Sequence, residues 1–121
     1  MKQTRPVFLD LLRIRQPLPA LISIAHRLSG ILLFLSIPLV LNTWQASLAS
    51  AESFRALQDS LGLKLVLFFL GMAYAYHFFA GLRFLLLDLH WGLSLESARF
   101  SSWAVLGSSL LCAVLLGTWL C

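Results

Sequence analysis

Three long stretches of this chain carry no charged side chain. Residues 28–51, 65–82 and 100–121 contain no Asp, Glu, Lys or Arg. Each is about 18–25 residues long, which is the length that an α-helix needs to cross the roughly 30 Å of hydrocarbon in a bilayer. The sequence therefore predicts an all-α membrane protein with three transmembrane helices.

The composition excludes a soluble globular domain. The 121 residues are 60% hydrophobic and only 12% charged, and the mean hydropathy is +0.87, whereas a soluble domain needs far more polar surface to cover its core. A cleaved signal peptide is a poor match, because the first apolar run is too long for an h-region. No basic patch is interleaved with exposed aromatics, so the net charge of +4 indicates membrane topology and not nucleic-acid binding.

The predicted organisation is a basic N-terminal segment, residues 1–20, followed by a three-helix anchor, residues 21–121. The helices are expected at about 21–49, 61–89 and 102–120, arranged up-down-up. Lys and Arg are concentrated before the first span and are absent after Trp103, so the positive-inside rule predicts a cytoplasmic N-terminus and a C-terminus outside. Residues 50–62 leave room for a short interfacial helix, although Ser50 and Ser53 do not match the capping-box sequence.

Ser23, His26, Arg27 and Gly30 form a first polar cluster. Their spacing of i, i+3, i+4 and i+7 places them on one helical face, at the cytoplasmic edge of the first span. The hydroxyl and the guanidinium can together bind a carbonyl group, or Arg27 can bind a carboxylate, while Gly30 lets a flat ligand or another helix approach. The alternative is that Arg27 extends to lipid headgroups and His26 only occupies the interface.

His77 is the centre of a second cluster. Ala73 and Gly81 lie one turn on either side of it, which would clear a slot for a flat macrocycle over the imidazole, and neutral imidazole is a common haem ligand. Asp88 returns to the same face nearer the cytoplasm, and Arg83 could pair with Asp88 or with a haem propionate. The alternative is that His77 hydrogen-bonds a neighbouring helix.

Both clusters are expected in the cytoplasmic half of the membrane, because the second helix descends to the level at which the first begins. One ligand extending from mid-bilayer to that edge could contact both. Three helices alone leave little room to enclose a cofactor, so a partner subunit in the membrane is also expected.

These motifs resemble those of the cytochrome b556 membrane-anchor subunits of bacterial succinate dehydrogenase, over nearly the whole chain. The matching elements are Arg5-Pro6, Leu9-Asp10, Ile14-Arg15 before a proline, Ser23-Ile-Ala-His26-Arg27-Leu-Ser29-Gly30, and His77 with Gly81, Arg83 and Asp88. One departure is Phe84, since the family often has a histidine after the arginine; its absence puts one propionate or quinone-side contact in doubt.

The resemblance implies half of a heterodimeric, haem-binding anchor in the bacterial inner membrane. Its partners would be a second three-helix anchor subunit, an iron–sulfur subunit and a flavoprotein subunit, together with membrane lipid. One haem b would lie between the two anchors, with His77 as one axial ligand and the partner supplying the other. Ser23 and Arg27 would contribute to a ubiquinone site.

The same resemblance places His26, Arg27 and Arg83 near the haem propionates and gives Asp88 a polar role, such as proton delivery. Electrons from succinate oxidation would then pass to ubiquinone in the respiratory chain and the tricarboxylic acid cycle. The chain itself has no flavin or cluster motif, so it is not expected to oxidise succinate alone. Two other readings stay open: a quinol:fumarate reductase anchor, and a non-haem membrane scaffold or transporter subunit.

Overall fold

The computed structural model describes residues 13–120 and contains four helices. They are α1 (Leu18–Ala49), α2 (Ala51–Asp59), α3 (Leu61–Asp88) and α4 (Leu95–Leu120). Within this described part there is no strand, which confirms the all-α prediction. The predictions made for residues 1–12, including Arg5, Pro6, Leu9 and Asp10, lie outside the described residues, as does Cys121.

Three of the helices are long and apolar enough to cross a membrane. α1, α3 and α4 have 32, 28 and 26 residues and mean hydropathies of 1.9, 1.7 and 1.8 in their most apolar windows. At 1.5 Å per residue they are about 48, 42 and 39 Å long, more than the roughly 30 Å of hydrocarbon. Few of the side chains in those windows are buried within the chain, so most of the apolar surface faces lipid or another subunit.

Helix α4 begins at Leu95, seven residues before the expected start at Ser102. The Ser94 hydroxyl accepts a hydrogen bond from the Ser97 backbone N–H at 3.2 Å, and Glu96 lies in the first turn. Both features stabilise a helix N-terminus. The sequence-based boundary followed the apolar run, which starts later than the helix because the first turns of α4 are polar.

The connection between α1 and α3 contains α2, the short helix that the sequence left room for. The expectation that Ser50 and Ser53 do not form a capping box is wrong. The Ser50 hydroxyl accepts from the Ser53 N–H at 3.0 Å, and the Ser53 hydroxyl accepts from the Ser50 N–H at 3.1 Å. A serine hydroxyl thus takes the place of the usual Glu or Gln side chain.

Helix α3 ends in a left-handed turn that aims the chain back into α4. His90 has φ = 61° and Gly92 has φ = 73°. The His90 N–H donates to Leu87 O at 3.0 Å and the Trp91 N–H donates to Leu86 O at 3.1 Å, which is the hydrogen-bond pattern of a Schellman motif. Glycine usually occupies the left-handed position of this motif; here it is His90.

Helix α3 is the centre of the bundle, since it packs most extensively against α4 and next most against α1. One buried residue from each long helix forms the small core: Ile22 of α1, Ala80 of α3 and Val105 of α4. The small Ala80 side chain lets both neighbours approach closely. This arrangement creates two places for function, the α1–α3 contact and the groove between α3 and α4.

Candidate functional site

Two histidines from different helices stack at the α1–α3 contact. The rings of His26 and His77 have centroids 4.1 Å apart and planes inclined by 10°. Both side chains are half-buried. The structure therefore joins the two predicted clusters directly, imidazole to imidazole, in one layer between α1 and α3.

Each histidine also faces a glycine on the opposite helix. A Cβ on Gly30 would lie 3.0 Å from Cε1 of His77, and a Cβ on Gly81 would lie 3.5 Å from Nε2 of His26. Both helices carry the same His-x-x-x-Gly spacing, so the two motifs interlock reciprocally. The space beside Gly81, expected from the sequence to admit a flat macrocycle, instead accommodates the His26 ring.

The His77 ring has a defined hydrogen-bonding side. Nδ1 lies 3.1 Å from the carbonyl oxygen of His26 and 3.0 Å from the Ser29 hydroxyl, which itself donates to the His26 carbonyl at 2.8 Å. A carbonyl oxygen only accepts, so the contact assigns the proton to Nδ1 and the lone pair to Nε2. Within residues 13–120 that Nε2 has no hydrogen-bond partner.

Phe84 lies against His26. Its ring centroid is 5.2 Å from that of His26, with the planes inclined by 52°. The position at which the resemblance leads one to expect a second imidazole therefore supplies an apolar ring that packs against His26 and cannot hydrogen-bond.

Ser23 and Arg27 lie on α1 towards its N-terminal end. Ser23 is half-buried and Arg27 is exposed, and neither side chain has a hydrogen bond or ion pair within the described residues. Ser23 is about 10 Å along the helix axis from Gly30, the residue level with His77. The two residues thus present free donors within one turn of His26 along α1, and about one to two turns from the level of His77.

Arg83 and Asp88 do not extend the histidine site. Arg83 is 6% exposed and its Nε donates to the Ser101 hydroxyl of α4 at 2.9 Å. Six residues separate it from His77, which at 100° per residue directs the two side chains to different sides of α3. Asp88 is exposed at the end of α3, and among the described residues Arg83 does not pair with it, which was one of the two alternatives for Arg83.

Sequence reasoning missed three contributors. Ser29 was part of the motif but had no role assigned, and only the folded α1–α3 contact shows its hydroxyl at His77. Tyr76 had no functional role assigned from the sequence, but its hydroxyl donates to the Ile22 carbonyl at 2.9 Å. Ser101, which accepts a hydrogen bond from Arg83, is followed directly by Ser102, and nothing in the sequence around this pair indicated a contact with α3.

Comparison with known proteins decides the family. A family model described as succinate dehydrogenase/fumarate reductase transmembrane subunit matches residues 1–116. The chain belongs to this family. The resemblance drawn from the motifs at residues 23–30 and 77–88 is thereby confirmed.

The curated relatives agree with this family. A succinate dehydrogenase cytochrome b556 subunit of Coxiella burnetii is 39% identical, with 99% of both chains covered. The subunit of the same name from Rickettsia felis is 27% identical over 78% of this chain and 76% of its own length, and that from Rickettsia conorii is 26% identical over 93% and 90%. The chain is thus a multi-pass membrane-anchor subunit of the succinate dehydrogenase type, and family membership implies a complex with other subunits.

Proposed function

We propose that this chain is the cytochrome b anchor of a succinate:quinone oxidoreductase, holding one haem b together with a partner anchor subunit. The observation that carries the proposal is the state of His77. Its Nδ1–H is bonded to groups of α1, and its Nε2 lone pair has no partner in the described part of the chain. A histidine that binds a metal commonly donates its other N–H to a carbonyl in this way.

The donor set of the site fits a haem. Within residues 13–120 no group of three or more His, Cys, Asp or Glu side chains could hold a bare metal ion, whereas a haem shared with a partner subunit would need only one histidine of this chain, and His77 would be that ligand. When bound, the haem supplies a one-electron redox centre inside the membrane. The relatives' names as cytochrome b556 subunits support the same cofactor.

Ser23 and Arg27 are the proposed quinone-site residues. The Ser23 hydroxyl donates a hydrogen bond to a ubiquinone carbonyl, and the Arg27 guanidinium stabilises negative charge that develops on that oxygen during reduction. Both donors are free for this role within the described residues. His26 and Arg27 are also the candidates for the haem propionates, and exposed Asp88 for proton delivery. Arg83, the third candidate from the resemblance, is held by Ser101 of α4 on another side of α3.

The proposed assembly has the N-terminus in the cytoplasm of a bacterial cell and the site in the cytoplasmic half of the inner membrane. The iron–sulfur and flavoprotein subunits then dock on the cytoplasmic side, close to Ser23 and Arg27. The second anchor subunit packs against apolar surface that this chain leaves exposed, which includes Ile24, Leu28 and Ile31 of α1.

A spectrum of the purified complex tests the haem assignment. Replacement of His77 by Leu should abolish or strongly weaken the b-type bands in the reduced-minus-oxidised spectrum, because it removes the imidazole that would bind the haem iron. Phe78→Leu, a change at the exposed neighbouring position, is the matched control and should leave the bands intact. A spectrum of His77→Leu that equals the wild type would reject the assignment.

A pair of activity assays tests the quinone site. Ser23→Ala should impair quinone reduction while leaving succinate oxidation by an artificial acceptor intact. Ser47→Ala, near the other end of α1, serves as control. Equal loss of both activities in Ser23→Ala would point to failed assembly.

The quinone that co-purifies with the complex should be identified as well, because the family description covers succinate dehydrogenase and fumarate reductase alike. Ubiquinone supports succinate oxidation, and menaquinone supports fumarate reduction.

A further inference from the structure

A groove of about 600 Å³ runs between α3 and α4 next to the turn that joins them. This volume lies within the range of small-molecule sites, about 300–1,000 Å³. One wall is apolar and exposed, formed by Leu82, Leu86 and Phe100. Two charged residues of opposite sign, Arg83 and Glu96, line the same groove. The groove is thus amphipathic, unlike the lipid-facing surface around it.

Arg83 is a buried cation without an anion. It is 6% exposed, its Nε donates to Ser101 Oγ at 2.9 Å, and its Nη2 makes a long contact of 3.5 Å with the Ala98 carbonyl. The guanidinium has five N–H donors, and it forms no ion pair within residues 13–120. A charge withdrawn from water without a counter-ion is unfavourable, so the remaining donors call for an anionic ligand.

Glu96 brings the opposite charge to the groove and does not neutralise Arg83. It lies in the first turn of α4, is exposed, and makes no ion pair with any residue of the described chain. Two unpaired charges of opposite sign that line one groove are complementary to a ligand that carries both signs.

The level of the groove in the membrane identifies the source of such a ligand. Arg83 is about eight residues from the middle of α3, or about 13 Å along the axis, close to the edge of a hydrocarbon layer whose half-thickness is about 15 Å. Exposed Trp91, at the mouth of the groove, is typical of the interfacial aromatic belt. The charged end of the groove therefore lies at the level of the lipid headgroups.

We propose that this groove binds a phospholipid with an amine headgroup, of the phosphatidylethanolamine type. The phosphate accepts hydrogen bonds from Arg83, the ammonium group pairs with Glu96, and one acyl chain follows the wall formed by Leu82, Leu86 and Phe100. Arginine suits this role because its planar fork matches phosphate oxygens. None of the proposed lipid contacts involves His77, Ser23 or Arg27, so the proposal can be tested separately from the proposed function.

Lipid retention by the intact complex tests the proposal. The complex is purified, exchanged into nanodiscs of phosphatidylethanolamine or phosphatidylglycerol, and released for native mass spectrometry. Arg83→Gln should lower the retained phosphatidylethanolamine about tenfold, the scale expected for loss of a charge-assisted hydrogen-bond pair. Glu96→Gln should remove the preference for phosphatidylethanolamine over phosphatidylglycerol. Arg99→Gln, at an exposed position of α4 outside the groove, should change neither quantity.

The test stays decisive even if Arg83→Gln fails to assemble. Arg83→Lys keeps the positive charge and should retain part of the bound lipid. Glu96→Gln changes only an exposed side chain, so its effect on lipid preference can still be measured. A photo-crosslinker at Ala104, which lines the groove, should give a lipid adduct. An adduct with another protein subunit, an unchanged lipid preference in Glu96→Gln, or loss of the haem spectrum in Arg83→Lys would each overturn the proposal.

Discussion

The imidazole of His26 covers one face of the His77 ring, while the backbone carbonyl of the same His26 lies 3.1 Å from His77 Nδ1. One residue of α1 therefore controls both the tilt and the rotation of the His77 ring. The Ser29 hydroxyl adds a second polar contact to Nδ1, and the absence of a side chain at Gly30 leaves space for the His77 ring. The orientation of His77 is set by a single turn of α1.

Gly30→Ala should disturb His77 selectively. A Cβ at this position would lie 3.0 Å from His77 Cε1, so the ring must move by a few tenths of an ångström and its Nδ1 contacts lengthen. We expect a loss of about 1 kcal/mol in stability together with a shifted haem spectrum, even though alanine favours a helix by about 1 kcal/mol. Thermal unfolding of the complex and its absorbance spectrum measure the two effects.

The matched control for that change is Gly107→Ala, whose Cβ would have no neighbour within 4 Å. Gly107→Ala should raise the thermal stability of the complex or leave it unchanged. Gly81→Ala should be intermediate, since its Cβ would make an ordinary contact of 3.5 Å with His26. Equal behaviour of Gly30→Ala and Gly107→Ala would contradict the close approach described here.

Ser29→Ala should weaken the hold on the His77 ring. The change removes the hydroxyl that lies 3.0 Å from Nδ1 and should cost about 1 kcal/mol, the usual net value of one hydrogen bond. It should also shift the midpoint potential of the haem, because hydrogen bonding to a ligand tunes a metal. Redox titration of the purified complex measures the shift.

Ser36→Ala provides the comparison for Ser29→Ala. The Ser36 hydroxyl donates to the Leu33 carbonyl at 2.7 Å, the same local bond that Ser29 makes to His26, but it makes no hydrogen bond to α3 within the described residues. The potential should be unchanged in this variant. A potential that moves equally in both variants would assign the effect to helix geometry and not to His77.

Tyr76→Phe should loosen α1 beside Ser23. The variant loses the bond from the hydroxyl to the Ile22 carbonyl, 2.9 Å, at a cost of about 0.6–1 kcal/mol in a membrane protein. We expect a higher KM for quinone with little change in kcat, because the adjacent Ser23 donor becomes less well placed. Tyr74→Phe removes an exposed hydroxyl that makes no hydrogen bond in the described chain and should behave as wild type; a KM raised equally in both would argue against this positioning role.

His90→Gly should stabilise the turn after α3. His90 has φ = 61°, a left-handed conformation that costs a non-glycine residue about 1 kcal/mol and that glycine adopts freely. Gly92→Ala, at φ = 73°, should lower the stability, because it places a Cβ at a left-handed position. Thermal midpoints of the two variants test the pair, and a lower midpoint for His90→Gly would mean that the His90 side chain has a role of its own.

The sequence predicted the spans well because their signal is physical and local. The predicted bounds of the first two spans, 21–49 and 61–89, lie within three residues of α1 and α3, since a charge in hydrocarbon is unfavourable wherever it occurs. The start of α4 was misplaced because polar residues such as Glu96 belong to the helix yet lie beyond the apolar run. The boundary of an apolar run marks the edge of the membrane, and a helix can continue past it.

The candidate site was only partly predictable. Spacing on one helix predicted a shared face for Ser23, His26, Arg27 and Gly30, but no spacing rule links His77 to Ser29 across 48 residues. The contact of Arg83 with α4 could not be predicted either. Helical periodicity shows which residues share a face of α3, but it does not show which neighbouring helix packs against that face. Those relationships depend on how α1 and α4 pack around α3.

The reciprocal fit of two imidazoles and two glycines has a consequence for assembly. The His77 ring is oriented by its own polypeptide, so the conformational entropy lost in fixing that ring is paid during folding and not when a cofactor or a partner arrives. In the proposed assembly, the anchor therefore brings a His77 ring that is already oriented, and a partner subunit supplies a second ligand and a complementary surface.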